Sequence, residues 1–160
     1  MTSVRGLFGF AAAFTTVVWL GTAPLEALAG PEAELFARVN RVREEHHLIP
    51  LKGSQDLAKV ARAHAEDMAR RGYLAHESPE GLNPLQRTTG AGVTGFRLLA
   101  ENIGSSTVGG DRLEAIVSEW MRSHDHRENL LNPAFNTGGV AVVQGPNGQT
   151  IVVELYATYQ

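Results

Sequence analysis

The chain contains no cysteine. That absence excludes a disulfide framework, a thiolate zinc site, a cysteine nucleophile and a lipid anchor through cysteine. Neither sign of charge dominates, with 14 Lys and Arg against 17 Asp and Glu and a net charge of −3. Nucleic-acid affinity rests on clustered positive charge, so no nucleic-acid partner is expected. A helical membrane span needs about 20 apolar residues, and the longest such run, Leu7 to Leu20, has 14. Phosphate-binding loops, dinucleotide fingerprints, HExxH and Gly-x-Ser-x-Gly are also missing, and no internal repeat is visible.

The short apolar run has a different reading. Arg5 precedes it as the sole charge, Pro24 follows it, and Ala27-Leu28-Ala29 supplies small residues before a cut. Residues 1–29 are therefore expected to be a secretory signal cleaved ahead of Gly30, with an uncleaved N-terminal anchor as the alternative. Cleavage removes one charge of each sign, Arg5 and Glu26, and leaves 131 residues at net −3. A single domain of that size buries about two-thirds of its unfolded surface, enough for a core without disulfides.

Helical periodicity fills the first half of that domain. Pro31 suits a first helical turn, and Leu35, Phe36, Val39 and Val42 recur at helical spacing to about Glu45. Pro50 keeps Leu48 to Leu51 extended. Ser54 caps a second helix whose apolar stripe is Leu57, Val60, Ala61, His64, Ala65 and Met68, and Gly72 stops it. Asn83-Pro84 opens a short third helix ending near Gly90. Phe96 to Asn102 is apolar and partly extended, and Gly104 to Gly110 reads as a flexible linker. Asp111 caps a fourth helix with Leu113, Ile116, Val117 and Trp120 on one side, and Asn132-Pro133 closes the polar stretch after it. The period then changes. Val140 to Val143 and Ile151 to Tyr159 are β-rich runs around the turn Gly145-Pro146-Asn147-Gly148. Helices followed by an antiparallel hairpin make the fold class α+β.

Six histidines and one carboxylate bear on chemistry. His46-His47 sits at a helix end, where the macrodipole favours a protonated ring. His64 lies on an apolar stripe and reads as a hydrogen-bonded core residue. His76 and His126 fall in turn-rich segments, where functional groups are displayed. The pair His124 and His126 flanks Asp125 without any tight zinc spacing. Glu101 interrupts the apolar run Leu98 to Ile103, where a carboxylate needs partners to be buried. Ser123, three residues before His126, has no nucleophile elbow around it.

Five segments in order resemble the CAP superfamily, the SCP-like domains of cysteine-rich secretory proteins, antigen 5 and group 1 pathogenesis-related proteins. They are residues 35–43, 61–69, Ala75 to Gly81, Ala100-Glu101-Asn102-Ile103, and Trp120 to Pro133 with its Ser123-His124-Asp125-His126 core. Their spacing is similar to the compact bacterial branch and covers about residues 31–159. The resemblance implies an α-β-α sandwich with a central antiparallel sheet between helical layers. It implies a cleft of two histidines and two acids that holds a divalent metal in some members. His76 and His126 match the histidines, and Gly139 follows His126 by the family's thirteen residues. Glu101 matches the first acid. Ser123 stands where the second acid belongs, and Glu119, just before Trp120, is expected to point elsewhere on its helix.

The resulting expectation is a secreted, extracellular or cell-wall-associated monomer without a membrane span in its mature form. It acts as a binding or interaction module for a lipid, sterol, polysaccharide or protein. A hydrolase or peptidase using His76, Glu101 and His126, with or without metal assistance, is the alternative, and a purely structural polar network is the third reading. No cofactor is required. Zn²⁺ or another divalent cation is expected to bind weakly at most, through His76 and His126, with Glu101 as a third ligand or an orienting group. N-terminal sequencing of protein from the culture medium should return Gly30 first, and an intact Met1 end in the membrane fraction would contradict the signal reading.

Overall fold

Pro31 supplies a preset φ for the first turn of α1 (Pro31–Glu45), and the helix runs to the expected end. The computed structural model describes residues 30–160, so the expected signal segment lies outside the described residues. The α1 helix stops because His47 adopts φ 60° and Leu48 N–H turns back to the Arg43 carbonyl at 2.9 Å. The two-residue β1 (Lys52–Gly53) follows, then α2 (Gln55–Arg71), capped by the Ser54 hydroxyl and ended by Gly72 at φ 72°. All six residues of the expected α2 stripe are buried. Asn83 and Gln86 form a reciprocal capping box at the start of α3 (Pro84–Gly90). The chain continues through β2 (Leu98–Ser106), α4 (Arg112–Arg122), α5 (His124–Leu130), β3 (Thr137–Gln144) and β4 (Thr150–Thr158).

The four strands form one sheet in the order β1-β3-β4-β2. Strands β3 and β2 each pair antiparallel with β4, whereas β1 pairs parallel with β3. The three long strands thus make the central antiparallel sheet that the resemblance implies, and the two-residue β1 added in parallel makes the whole sheet mixed. Alternation along the hairpin builds two cores. Val140, Val142, Val152 and Tyr156 join α1, α4 and α5 on one face. Ala141, Ile151, Val153, Leu155 and Ala157 join α2 on the other. This is the α-β-α sandwich, with β4 buried along most of its length.

Two expectations need correction. Gly104 to Ser106 are not linker but the last part of β2. A Cβ on Gly104 would stand 2.5 Å from Ile116 Cγ2, so the glycine lets α4 press onto the strand. Trp120 Nε1 then donates to the Ile103 carbonyl at 2.9 Å. His126 is not in a turn either. It lies in α5, which the short polar sequence His124 to Asn129 conceals, since only Leu130 of that helix is buried. Gly139 has the corresponding role on the other face, where a Cβ would meet Ala58 N at 2.4 Å.

Arg43, 1% exposed, ties the helical layer together. It donates to the carbonyls of Ile49 (3.1 Å), Leu130 (2.8 Å), Asn132 (3.1 Å) and Phe135 (2.9 Å). On the same face, Glu154 is fully buried and accepts one bond, from the Tyr156 hydroxyl at 2.9 Å. Its other oxygen has no partner. Burial pushes its carboxyl up to about 8, against the opposing pull of Tyr156 and Arg43. The folded chain therefore keeps a proton that the unfolded chain loses near 4.5. Stability from this group is complete below that value and is lost as pH rises towards about 8. Between about pH 7 and about pH 8, thermal melts should show the wild-type midpoint falling. Glu154→Gln should flatten that fall.

Candidate functional site

The loop after α2 is held on both sides of His76. The His64 ring donates through Nε2 to the Ala75 carbonyl at 2.9 Å, and Arg87 of α3 donates to the His76 carbonyl at 2.6 Å. His64 is itself 2% exposed, the core histidine expected from its stripe. Burial lowers its pKa, and the nearby Arg87 charge adds to that. The His76 ring stays half exposed and meets β2, where its Nδ1 lies 2.9 Å from Glu101 Oε1. A carboxylate only accepts, so Nδ1 is the donor in this bond, and Nε2 has no protein partner among the described residues.

The Glu101 side chain is 1% exposed. Its second oxygen accepts from Arg87 Nη2 at 2.6 Å, so both oxygens are engaged and the charge is neutralised. His126 approaches from α5, with its ring centroid 6.3 Å from that of His76 and 6.5 Å from that of Trp120. Its Nδ1 is buried without a partner, which leaves Nε2 as the nitrogen facing the cleft. Burial and then the neighbouring His76 lower its pKa, with Asp125 and Glu119 opposing. The ring is therefore neutral near pH 7.

The structure thus brings His76, Glu101 and His126 together from a loop, a strand and a helix. Ser123 sits at the junction of α4 and α5, and its hydroxyl makes no capping bond. Neither imidazole has a Ser or Thr hydroxyl as partner among the described residues. His124 is exposed and bonds to Asp125 instead, and His46 and His47 lie at the exposed end of α1. Glu119 lines the groove next to His126, and its carboxylate is paired with Arg122 at 2.7 Å.

Three residues that sequence reading did not single out complete the site. Arg87 is the cation that Glu101 required. Asn102, 0% exposed, donates to the His126 carbonyl at 2.9 Å and so fixes α5 against β2. Asn129 donates to Asn102 Oδ1 at 3.0 Å and closes that network. The buried carboxylate was a signal that a cation must be near, but it did not say which of 14 Lys and Arg.

These residues do not fit a resident dication. Both Glu101 oxygens are taken, one by a guanidinium that repels a cation, and Ser123 offers no charge. Among the described residues, no group of three or more His, Asp or Glu side chains is arranged to hold a metal. A groove of about 360 Å³ extends from His126 between Ile103 to Ser106 and α4. A wider depression of about 680 Å³ at Arg122, His124 and Pro133 contains none of the three converging residues.

Comparison with known proteins gives one consistent family. The family described as CAP, the cysteine-rich secretory protein family, matches residues 36–156. An uncharacterized Bacillus subtilis protein, YkwD, is 32% identical over 123 residues, covering 77% of this chain and 46% of its own length. A second relative from that organism, named as a membrane protein, is covered over 31% of its length, so the chain spans less than half of the curated relatives it matches. Among solved structures, an extracellular SCP-domain protein from Bacillus anthracis superposes with TM-score 0.69 at 30% identity, over 78% of this chain and 39% of that one. An outer surface protein of Borrelia burgdorferi has the same fold, with TM-score 0.70 at 24% identity over 79% of this chain and 91% of that one.

Removing one partner of a buried ion pair strands the other charge. Arg87→Met should therefore destabilise the fold by about 3–5 kcal/mol in denaturant titration. Adding Glu101→Gln to it should recover part of that loss, because no unpaired charge then remains.

Proposed function

The chain belongs to the cysteine-rich secretory protein (CAP) family, and from that premise we propose that it is an extracellular binding or interaction module. The His76–Glu101–His126 cleft is its ligand site. The observation that carries this reading is the 2.9 Å bond from His76 to a buried, charge-neutralised Glu101, with the His126 ring 6.3 Å away. It leaves Nε2 of both rings uncommitted, beside a groove whose walls include Ile103, Ile116 and Trp120. A hydroxyl on a sterol or polysaccharide, or the polar head of a lipid, suits such a pair. A partner protein could use the same groups. Residues 1–29 then serve as the export signal, cut ahead of Gly30. Among the described residues no helix is long and apolar enough to cross a membrane.

One observation favours a second reading. An imidazole oriented by a carboxylate is poised as a general base, and a hydrolase or peptidase would use His76 in that way, returning the abstracted proton to the leaving group, with His126 as a hydrogen-bonding neighbour. The missing hydroxyl partner places binding ahead of it. Zinc has no part in either reading beyond weak coordination by two imidazoles.

Native mass spectrometry of the exported chain tests the proposal. A small-molecule adduct is expected on the wild type and is expected to disappear in both His76→Ala and His126→Ala. An adduct that persists in both variants would place the ligand elsewhere. Zinc titrated by calorimetry should bind weakly, more weakly still as pH falls through the histidine range, and not at all in His126→Ala.

A further inference from the structure

Among the described residues strand β2 pairs with β4 alone, so no strand covers its other edge. Trp120 Nε1 reaches the Ile103 carbonyl and Asn129 Nδ2 reaches the Glu101 carbonyl, both from outside the sheet. Odd-numbered residues of β2 therefore direct their backbone groups away from β4. The pattern is consistent across the sheet: on β3 the even-numbered Gly138 carbonyl accepts from Ser54 N, and the even-numbered Val142 N–H donates to Glu32, both away from β4. Ile103 N–H, Ser105 N–H and Ser105 C=O thus face outward, with no protein partner among the described residues, into the groove of about 360 Å³. Natural edges are blunted by Lys, Pro or charge, and Ile103-Gly104-Ser105-Ser106 has none of these.

The walls specify what fits. Gly104 and Ala115 are small, Ile103 and Ile116 are apolar, and Glu119 and Arg122 cancel each other in an ion pair. His126 stands at one end. We propose that this groove takes an extended, uncharged peptide with small side chains, added to the β2 edge as a fifth strand. Main-chain bonds to Ile103 N–H and to Ser105 N–H and C=O supply the register, as in other cases of strand addition. Four residues of strand span about 13 Å, so the contact covers three to four peptide residues. The inference rests on the binding-module reading and names polypeptide as the ligand class.

The probe is acetyl-Ala-Val-Ala-Val-Ala-amide, titrated into the ¹⁵N-labelled exported chain. Amide shifts should cluster at Ile103, Gly104 and Ser105, with slowed hydrogen exchange at Ile103 and Ser105. The same peptide methylated on its amide nitrogens should not bind. Ser105→Pro deletes an outward N–H that the β4 ladder does not use, so the sheet should persist, as unchanged β4 shifts would report. Its affinity should fall about tenfold, while Ser105→Ala binds like the wild type. Shifts that map away from β2, or equal affinity in a folded Ser105→Pro, would overturn the proposal. So would an absent peptide response in a chain whose His76- and His126-dependent adduct is intact, an outcome that leaves the binding-module reading standing.

Discussion

A carboxylate that is 1% exposed cannot stay charged in a sheet without compensation, and the cleft is organised around meeting that requirement at Glu101. Arg87 brings α3 to one oxygen, and His76 brings the loop after α2 to the other. The same arginine holds the His76 carbonyl, so one side chain both neutralises the acid and fixes the backbone of the histidine it orients. The chemical result is a cleft without net negative charge, lined by two imidazoles. Such a site is better matched to hydroxyls and amides than to metal ions.

The opposite wall depends on a second set of buried bonds. Arg43 collects four carbonyls from the segments before β1 and around the end of α5. Asn102 joins β2 to the His126 carbonyl and to the Tyr156 hydroxyl. Helix α5 has little apolar surface of its own, and these polar tethers do what packing does elsewhere. In such a network the bonds are strong because water is excluded, and each unmatched atom is costly for the same reason. The unpaired oxygen of Glu154 belongs to that second category.

The edge of β2 links the two walls. It presents Glu101 at one end of the cleft and open backbone groups beyond His126. Helix α4 lies close enough to form a groove only because Gly104 has no side chain.

Much of this was legible in the residue order. Stripes at helical spacing located α1, α2 and α4, the caps Ser54, Asn83 and Asp111 placed three helix starts, and the Gly145 to Gly148 turn marked the hairpin. These are local signals, carried by residues within a turn or two of each other. The resemblance of five segments picked out His76, Glu101 and His126 as well. Gly104 to Ser106 read as linker because glycine and serine have no intrinsic strand preference; pairing with β4 and pressure from α4 make them a strand. Helix α5 was missed because polar bonds to distant residues, not an apolar stripe, hold it. Arg87 stayed anonymous among the cations, since a charge pair 14 residues apart has no periodicity to reveal it. Sequence alone determined the elements with a local signal, α1 to α4 and the hairpin, and the chemistry they carry. Only the tertiary structure decided which partners meet, because desolvation and charge compensation depend on distances through space rather than along the chain.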